Sequence, residues 1–244
     1  MSVTTQEETT VRERMLGQTL EQKSSVKPLI DDKWDRLHTF DNKYATAKRG
    51  VDIICGVAGT LLLLILYPFI AAGIKLSSRG TVIYKQKRTG QYGVPFMCWK
   101  FRTMHTDIDI KNKKSYKPDV TQKNDPRVFW FASLLRRTNL DELPQVINIL
   151  KGEMSVVGPR PYPISECIYW NNLFPDFYLR YRNKPGLTGL AQVQGYRGGT
   201  HDVSHMRTRL DCDLKYVRNF TPWMDIKIIT KTFLQMLHLK TNAH

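Results

Sequence analysis

Two acids stand side by side in the run RRTNLDELPQ: Asp141 and Glu142, with Arg136 and Arg137 just ahead of them. A carboxylate among arginines can attack a phosphorus atom and form an aspartyl-phosphate type of bond, provided cationic groups offset its repulsion from the phosphate oxygens. Adjacent carboxylates can divide that work, one attacking and one holding a divalent cation with water and phosphate oxygens. The pair also has a structural reading, which spacing alone favours. Thr138, three residues before Asp141, makes a capping-box pattern, and acids complement a helix N-terminus.

Three further runs suit phosphate chemistry. In Gly158-Pro159-Arg160-Pro161 two prolines fix the backbone around one guanidinium, which suits bidentate phosphate recognition as well as a rigid surface turn. Lys184 to Gly189 (KPGLTG) is a glycine-bearing loop whose amides could approach a phosphate, but it lacks the spacing of a P-loop. Lys100 and Arg102 add basic groups in KFR. Asp213 and Asp225 read as structural when taken singly. His201 and His205 lack an evident third metal ligand. Cys55, Cys98, Cys167 and Cys212 form no C-x-x-C pair, so the expectation is buried, reduced thiols.

The elements that must carry these residues start with one apolar stretch. Ile53 to Ile74 contains no charge, in a chain of 244 residues with net charge +15. At about 1.5 Å per residue it is long enough to cross a bilayer core as a helix. It starts too late for a signal peptide, behind a polar extension over 1–47. Basic residues flank both ends: Arg36, Lys43, Lys48 and Arg49 before, Lys75, Arg79, Lys85, Lys87 and Arg88 after. Basic flanks stay cytoplasmic, so a re-entrant hairpin bent near Pro68 is favoured over a single crossing. Asp52, at the entry, is expected to pair with Lys48 and Arg49 along the helix.

Downstream, TVIYK (81–85) and FMCWK (96–100) read as two short strands around a turn with Gly90 and Gly93. Residues 105–124 read as a charged loop. Asp125-Pro126 is expected to open a helix, and a second helix is expected from Asp141 to Leu150, ended by Gly152. Ile168–Arg182 and Trp223–Lys240 are aromatic, amphipathic stretches suited either to a headgroup layer or to a core. The composition, 41% hydrophobic and 11% aromatic, can build a core. The positive balance points to an anionic partner. Basic residues dispersed along the chain beside an apolar anchor argue against nucleic acid. A non-catalytic lipid- or glycan-binding module is the rival reading, but it leaves Asp141, Glu142 and Arg160 without a task.

Taken in order, these motifs resemble the bacterial sugar transferases, the monotopic phosphoglycosyl transferases acting on polyprenyl phosphate. The resemblance runs from KRGVD through QKRTG, KFRTM, LDELPQ, LKGEMSVVGPRP and KPGLTGLAQVQG to Asp213 and Asp225. It implies an α/β membrane-associated domain over 48–240, mostly helical with a few short strands, with a re-entrant segment at about 51–76. It implies transfer of sugar-1-phosphate from a UDP-sugar to polyprenyl phosphate with release of UMP, as an initiating step toward exopolysaccharide, lipopolysaccharide or capsule. By the same resemblance Asp141 is the nucleophile and Glu142 its partner near Mg²⁺, with Asp225 also at the metal. Lys100, Arg136, Arg160 and Asp213 bind phosphate or substrate, and Lys48, Arg49, Asp52 and Pro68 belong to the membrane segment. The implied place is the cytoplasmic face of the bacterial inner membrane, with membrane lipid as a partner. A homo-oligomer is left open. The family's hairpin breaks near Ser-Pro, where this chain has Tyr67-Pro68.

Overall fold

The computed structural model describes residues 42–105, 125, 127–196 and 202–237. All of these fall within one compact unit, Thr39–His244. Most of the 1–47 extension, nearly all of the 105–124 loop, and His201 lie outside the described residues.

Helix α1 (Asn42–Ser77) carries the apolar stretch and continues through Pro68. The helix is therefore not interrupted at Pro68, where the sequence suggested a break. Proline removes one amide donor, leaving the Leu64 carbonyl without its usual partner, but the surrounding turns are apolar and hold their helical bonds. Thr60 does not serve that gap, since its hydroxyl donates back to Gly56 O at 2.8 Å. One face of α1 is buried through Leu63, Ile70 and Ile74. Ile54, Leu64, Ile65 and Phe69, at 65–72% exposure, have no protein cover. This is the one helix among the described residues long and apolar enough to cross a membrane.

Strands β1 (Ile83–Thr89) and β2 (Pro95–Phe101) form an antiparallel hairpin around a 3₁₀ turn at Gln91–Gly93. The two expected strands are present and longer than the sequence suggested. Helix α2 (Trp130–Arg137) begins later than expected. Asp125 does not cap it. Its carboxylate accepts from the Arg127 amide and guanidinium instead, so a local ion pair takes the capping acid.

A 3₁₀ segment, Leu140–Gln145, then leads into α3 (Val146–Lys151), which ends at Gly152 with φ +81°. Pro144 lies inside this segment. The expected α-helix from Asp141 is thus 3₁₀ for its first half. Thr138 is no capping box, because its hydroxyl donates to Leu134 O, closing α2.

Strand β3 (Ser155–Val157) comes next, then α4 (Ile164–Leu173), a 3₁₀ segment at Phe177–Arg182, and β4 (Gly186–Thr188). The order closes with α5 (Leu190–Val193), α6 (Val203–Asn219) and α7 (Pro222–Leu237). β3 and β4 pair in parallel. The fold is mostly helical with two small two-stranded sheets.

The main core joins α1 to its neighbours: Leu63, Ile70 and Ile74 meet Phe101, Ala132, Leu135 and Val146. Gly59 and Gly73 make this approach close, since a Cβ there would sit 2.6 Å from Val146 Cγ1 and 2.5 Å from the Phe131 ring. The two aromatic stretches part company. Trp170, Phe174, Phe177 and Tyr181 are buried core residues. On α7, Trp223, Ile226, Phe233 and Leu234 stay exposed, an apolar stripe suited to a headgroup layer.

Both ends of α1 are fastened to this same body. At its start, Lys48 donates to Asp225 at 2.7 Å and to Val157 O at 2.9 Å, and Arg49 caps α3 by donating to Ile149 O and Leu150 O. Asp52 is buried and accepts from Ser155 Oγ and the Val156 amide, both at 2.8 Å. The expected Asp52 pairing with Lys48 and Arg49 does not form. A buried carboxylate needs fixed donors, and the neighbouring strand supplies them. At the far end the buried Arg102 donates to Ser78 O at 2.8 Å and to Thr81 O at 2.6 Å.

Candidate active site

The 3₁₀ segment explains how the two acids are presented. Leu140 and Leu143, three residues apart, pack against the core of α1, α2 and β2. In a 3₁₀ turn that spacing puts the residues between them on the other sides, toward β2. Asn139 starts the segment in the left-handed region at φ +58°. An asparagine tolerates this conformation, whereas a β-branched residue would not.

Glu142 is the ion-paired acid. Its Oε1 accepts from Lys100 Nζ and Arg160 Nη2, each at 2.7 Å, and its Oε2 faces Arg160 Nη1 at 3.3 Å. Asp141 differs. It makes no ion pair or side-chain hydrogen bond among the described residues. Burial, then the neighbouring Glu142 charge, push its carboxyl from the ordinary 3.8 up to about 6, against the pull of Lys100, Arg136 and Arg160. A carboxylate that is destabilised as an ion and committed to no partner is poised to react. Lys100 is correspondingly lowered by burial, with Glu142 opposing. Arg136 points its Nε and Nη2 at Thr103 Oγ1, 3.1 and 2.9 Å away, and feels Asp141 without touching it.

Arg160 rides on a turn whose carbonyls are held one after another. Pro159 O accepts from the Gly186 amide at 3.0 Å, and Tyr162 O from the Thr89 amide at 3.1 Å. Arg160 O accepts from Arg180 Nη2 at 2.7 Å, and Pro161 O from Arg88. Proline rings alone do not fix the guanidinium, because β1, β4 and the 3₁₀ segment before β4 also grip its backbone. The KPGLTG run therefore has a different task from the expected phosphate loop. Gly186 forms a strand against β3, its amide is taken by Pro159, and a Cβ on it would lie 2.1 Å from the Gly158 nitrogen.

The remaining expected site residues lie elsewhere. Asp213 is buried and bonded to Arg180, with Oδ2 2.6 Å from Nη2, so it reaches Arg160 through Arg180 and not through solvent. Burial raises its carboxyl despite the arginine. Asp225 is held by Lys48 and by the Tyr216 hydroxyl at 2.7 Å, where α7 meets the start of α1; none of its bonds reaches Glu142. Lys48, Arg49 and Asp52 fasten α1, and Pro68 lies inside it. Among the described residues no group of three or more His, Cys, Asp or Glu side chains gathers as a metal cluster. Arg180 was missed in the sequence, and Arg88 was read only as a basic flank and as part of QKRTG. The available signal was an arginine inside the aromatic run FYLRYR, since a charge amid buried rings needs a partner.

The chain has recognisable relatives. The model of a family described as "Bacterial sugar transferase" matches residues 43–239. A UDP-glucose:undecaprenyl-phosphate glucose-1-phosphate transferase of Escherichia coli (strain K12) is 45% identical over 190 residues, 76% of this chain and 39% of the relative. One with the same description from Caulobacter vibrioides is 41% identical over 192 residues, 78% of this chain and 69% of the relative. The exopolysaccharide production protein PSS of Rhizobium leguminosarum bv. phaseoli is 41% identical over 194 residues, 78% of this chain and 94% of the relative. The chain thus spans less than half of the Escherichia coli relative and most of the Rhizobium one.

The strain on Asp141 has a readable sign. A carboxyl whose folded pKa lies above its unfolded value weakens the fold when ionised. That penalty is fully present above about 6 and disappears as pH falls toward 3.8. Asp141→Asn is expected to raise the thermal midpoint by about 2–4 °C at pH 8, with the difference fading by pH 4. A lower midpoint at pH 8 would contradict the unpaired geometry.

Proposed function

Because the chain belongs to the bacterial sugar transferase family, we propose that it transfers a sugar-1-phosphate from a UDP-sugar to polyprenyl phosphate and releases UMP. The relatives' descriptions favour glucose-1-phosphate as the group transferred and undecaprenyl phosphate as the acceptor. Exopolysaccharide assembly is the favoured context. The single observation that carries the catalytic reading is the division of labour between adjacent acids: Glu142 is clamped by Lys100 and Arg160 while Asp141 is left unpaired.

In the first half-reaction an Asp141 carboxylate oxygen attacks the β-phosphorus of the donor. The bond from that phosphorus to the bridging oxygen breaks, and UMP leaves with the electron pair. In the second, an oxygen of polyprenyl phosphate attacks the same phosphorus and returns Asp141 as a carboxylate, leaving polyprenyl-diphosphate-sugar. Neither half needs a proton donor, because both leaving groups depart as stable anions. Lys100, Arg136 and Arg160 supply the positive field that lets a carboxylate approach a diphosphate.

Magnesium is the proposed cofactor. Two adjacent carboxylates, one without an ion-pair partner, match a small hard cation that keeps waters and shares phosphate oxygens. Glu142, beside Asp141, would hold it through Oε2, whose contact to Arg160 Nη1 is the longer one at 3.3 Å, and the ion would offset diphosphate charge.

Membrane placement follows from α1. One body grips both Lys48 and Ser78, at opposite ends of the apolar stretch. That supports placing both ends of α1 on one side, the cytoplasmic one, where both basic flanks and the soluble donor would be found. The exposed faces of α1 and α7 would then meet lipid, and the phosphate of the acceptor would arrive at headgroup depth beside Asp141.

Purified protein supplied with UDP-glucose, undecaprenyl phosphate and Mg²⁺ is expected to release UMP. Asp141→Asn should lower the rate on the order of 10³-fold or more while the protein stays with the membrane. Full turnover by this variant would remove Asp141 as nucleophile. For placement, single cysteines at Tyr44 and Leu76 in a cysteine-free background should both react with an impermeant maleimide from the cytoplasmic side. Labelling of the two from opposite sides would establish a crossing instead.

A further inference from the structure

One face of the β1–β2 hairpin carries positive charge that the proposed reaction does not use. Ile83 lies opposite Phe101, Lys85 opposite Trp99 and Lys87 opposite Met97, so these residues share that face, while Lys100 points the other way, to Glu142. Ile83 and Phe101 belong to the core that packs on α1, with the Phe101 ring 6.1 Å from that of Tyr67. Past this contact the same face emerges as Lys85, Lys87 and Met97, all exposed, and the half-buried Trp99. Lys85 Nζ stands 4.0 Å from the Trp99 ring centroid, and Lys151 Nζ, at the end of α3, stands 5.1 Å from it. Neither ammonium has an acid partner among the described residues. Glu153 Oε2 accepts from Asn148 Nδ2 at 2.6 Å and pairs with neither lysine.

We propose that Lys85, Lys151 and Trp99, with Lys184 beside them, seat the phosphate of an anionic phospholipid headgroup where α1 enters the membrane. The inference deepens the membrane placement proposed above. It rests on that reading for lipid at the start of the apolar stretch, whichever side the stretch leaves by.

The parts of this cluster are held in place. The wholly buried Asn148 accepts from the Trp99 amide at 3.1 Å and donates to Met97 O at 2.7 Å, tying β2 to α3. Leu150, just before Lys151, packs on Gly56, where a Cβ would come within 2.7 Å of it, and its carbonyl accepts from Arg49 Nη2. Lys151 is thereby fixed against the turns of α1 that also expose Val51 and Ile54. Lys184 adds a third cation. A Cβ on Gly152, next after Lys151, would lie 3.6 Å from Lys184 Nζ and 3.8 Å from Arg49 Nη2. Burial, then the Arg49 charge, push the Lys184 ammonium below the usual lysine range, and it has no hydrogen-bond or ion-pair partner among the described residues. Like charges gathered in this way repel, and an anion between them replaces repulsion with attraction. Arg49 is committed to Ile149 O and Leu150 O, so the lysines are left to take that anion. A phosphodiester headgroup brings it at the right depth. An indole flanked by lysines suits a membrane–water boundary, with the ring toward the acyl region and the ammonium groups toward phosphate. A choline headgroup would bring a further cation to a ring already faced by two. A soluble phosphate would leave Met97 and the exposed side of α1 without apolar cover.

The test incubates the detergent-solubilised full chain with equal amounts of phosphatidylglycerol and phosphatidylcholine, isolates it by size exclusion and quantifies the co-eluting lipids by mass spectrometry. Phosphatidylglycerol is expected to exceed phosphatidylcholine about tenfold. Lys85→Gln/Lys151→Gln/Lys184→Gln should bring the ratio within about twofold of unity. Lys215→Gln/Arg218→Gln, which removes two exposed charges from α6, should leave it unchanged. If the triple variant does not fold, Lys85→Gln/Lys151→Gln decides, with an expected fall of about threefold or more. An unaltered ratio in the lysine variants, or an equal fall in the α6 variant, would overturn the site. Displacement of phosphatidylglycerol by inorganic phosphate or by a tetraglutamate peptide would assign the cluster to free anions or to acidic protein, and would overturn it as well. A chain that floats with membrane vesicles but lacks the preference would lose this site and keep its membrane placement. A chain that keeps the preference yet releases no UMP from UDP-glucose would sink the proposed reaction and leave the site standing.

Discussion

The site depends on an unequal sharing of positive charge between two neighbouring carboxylates. Lys100 and Arg160 converge on Glu142 at 2.7 Å, and nothing comparable reaches Asp141. Had both acids been ion-paired, neither would be nucleophilic. Had neither been, two anions side by side in a half-buried place would have repelled each other and the substrate. With Glu142 neutralised, Asp141 keeps the field of the surrounding cations without a bond to any one of them. The hydrogen-bonded acid locates its neighbour, and Asp141, the proposed nucleophile, carries the electrostatic strain.

Much of the remaining fold keeps that geometry in place. Arg160 can clamp Glu142 only if its own backbone does not move, and Arg88, Arg180, Gly186 and the Thr89 amide each hold one carbonyl of its turn. Asp213 contributes by fixing Arg180. The 3₁₀ segment that carries the acids is pinned through Leu140 and Leu143 to the apolar helix. Anchor and catalytic machinery therefore share one core. In the proposed reaction that arrangement would bring a soluble anionic donor and a lipid-borne acceptor together at a fixed depth.

The sequence was informative where a residue type has few alternatives. An uncharged stretch flanked by basic residues, a hairpin with β-branched and aromatic residues, and a DE pair among arginines were each legible one by one. Their common membership in a family was legible from order and spacing. Less could be read where several partners compete for one group. Thr138 could cap a helix ahead of it or close the one behind, and it closes the one behind. Asp52 had basic neighbours along its helix, yet the backbone of a strand more than a hundred residues away holds it. Asp225 found Lys48 in the same way. The KPGLTG glycines looked like room for a ligand and proved to be room for another strand, because short parallel pairings leave no periodic signal in three residues. Arg180 was hidden by its aromatic neighbours, and its role is visible only when Asp213 and the Arg160 carbonyl are seen on either side of it.

The central claim is that Asp141 becomes covalently bonded to the phosphorus of the donor. Intact-protein and peptide mass spectrometry of the enzyme quenched with UDP-glucose and Mg²⁺, without acceptor, tests it most directly. The account predicts a hexose-phosphate mass increment on the peptide bearing Asp141, formed together with UMP and discharged when undecaprenyl phosphate is added. Rapid turnover with both substrates, but no adduct on Asp141 at any quench time and no UMP burst without acceptor, would contradict it.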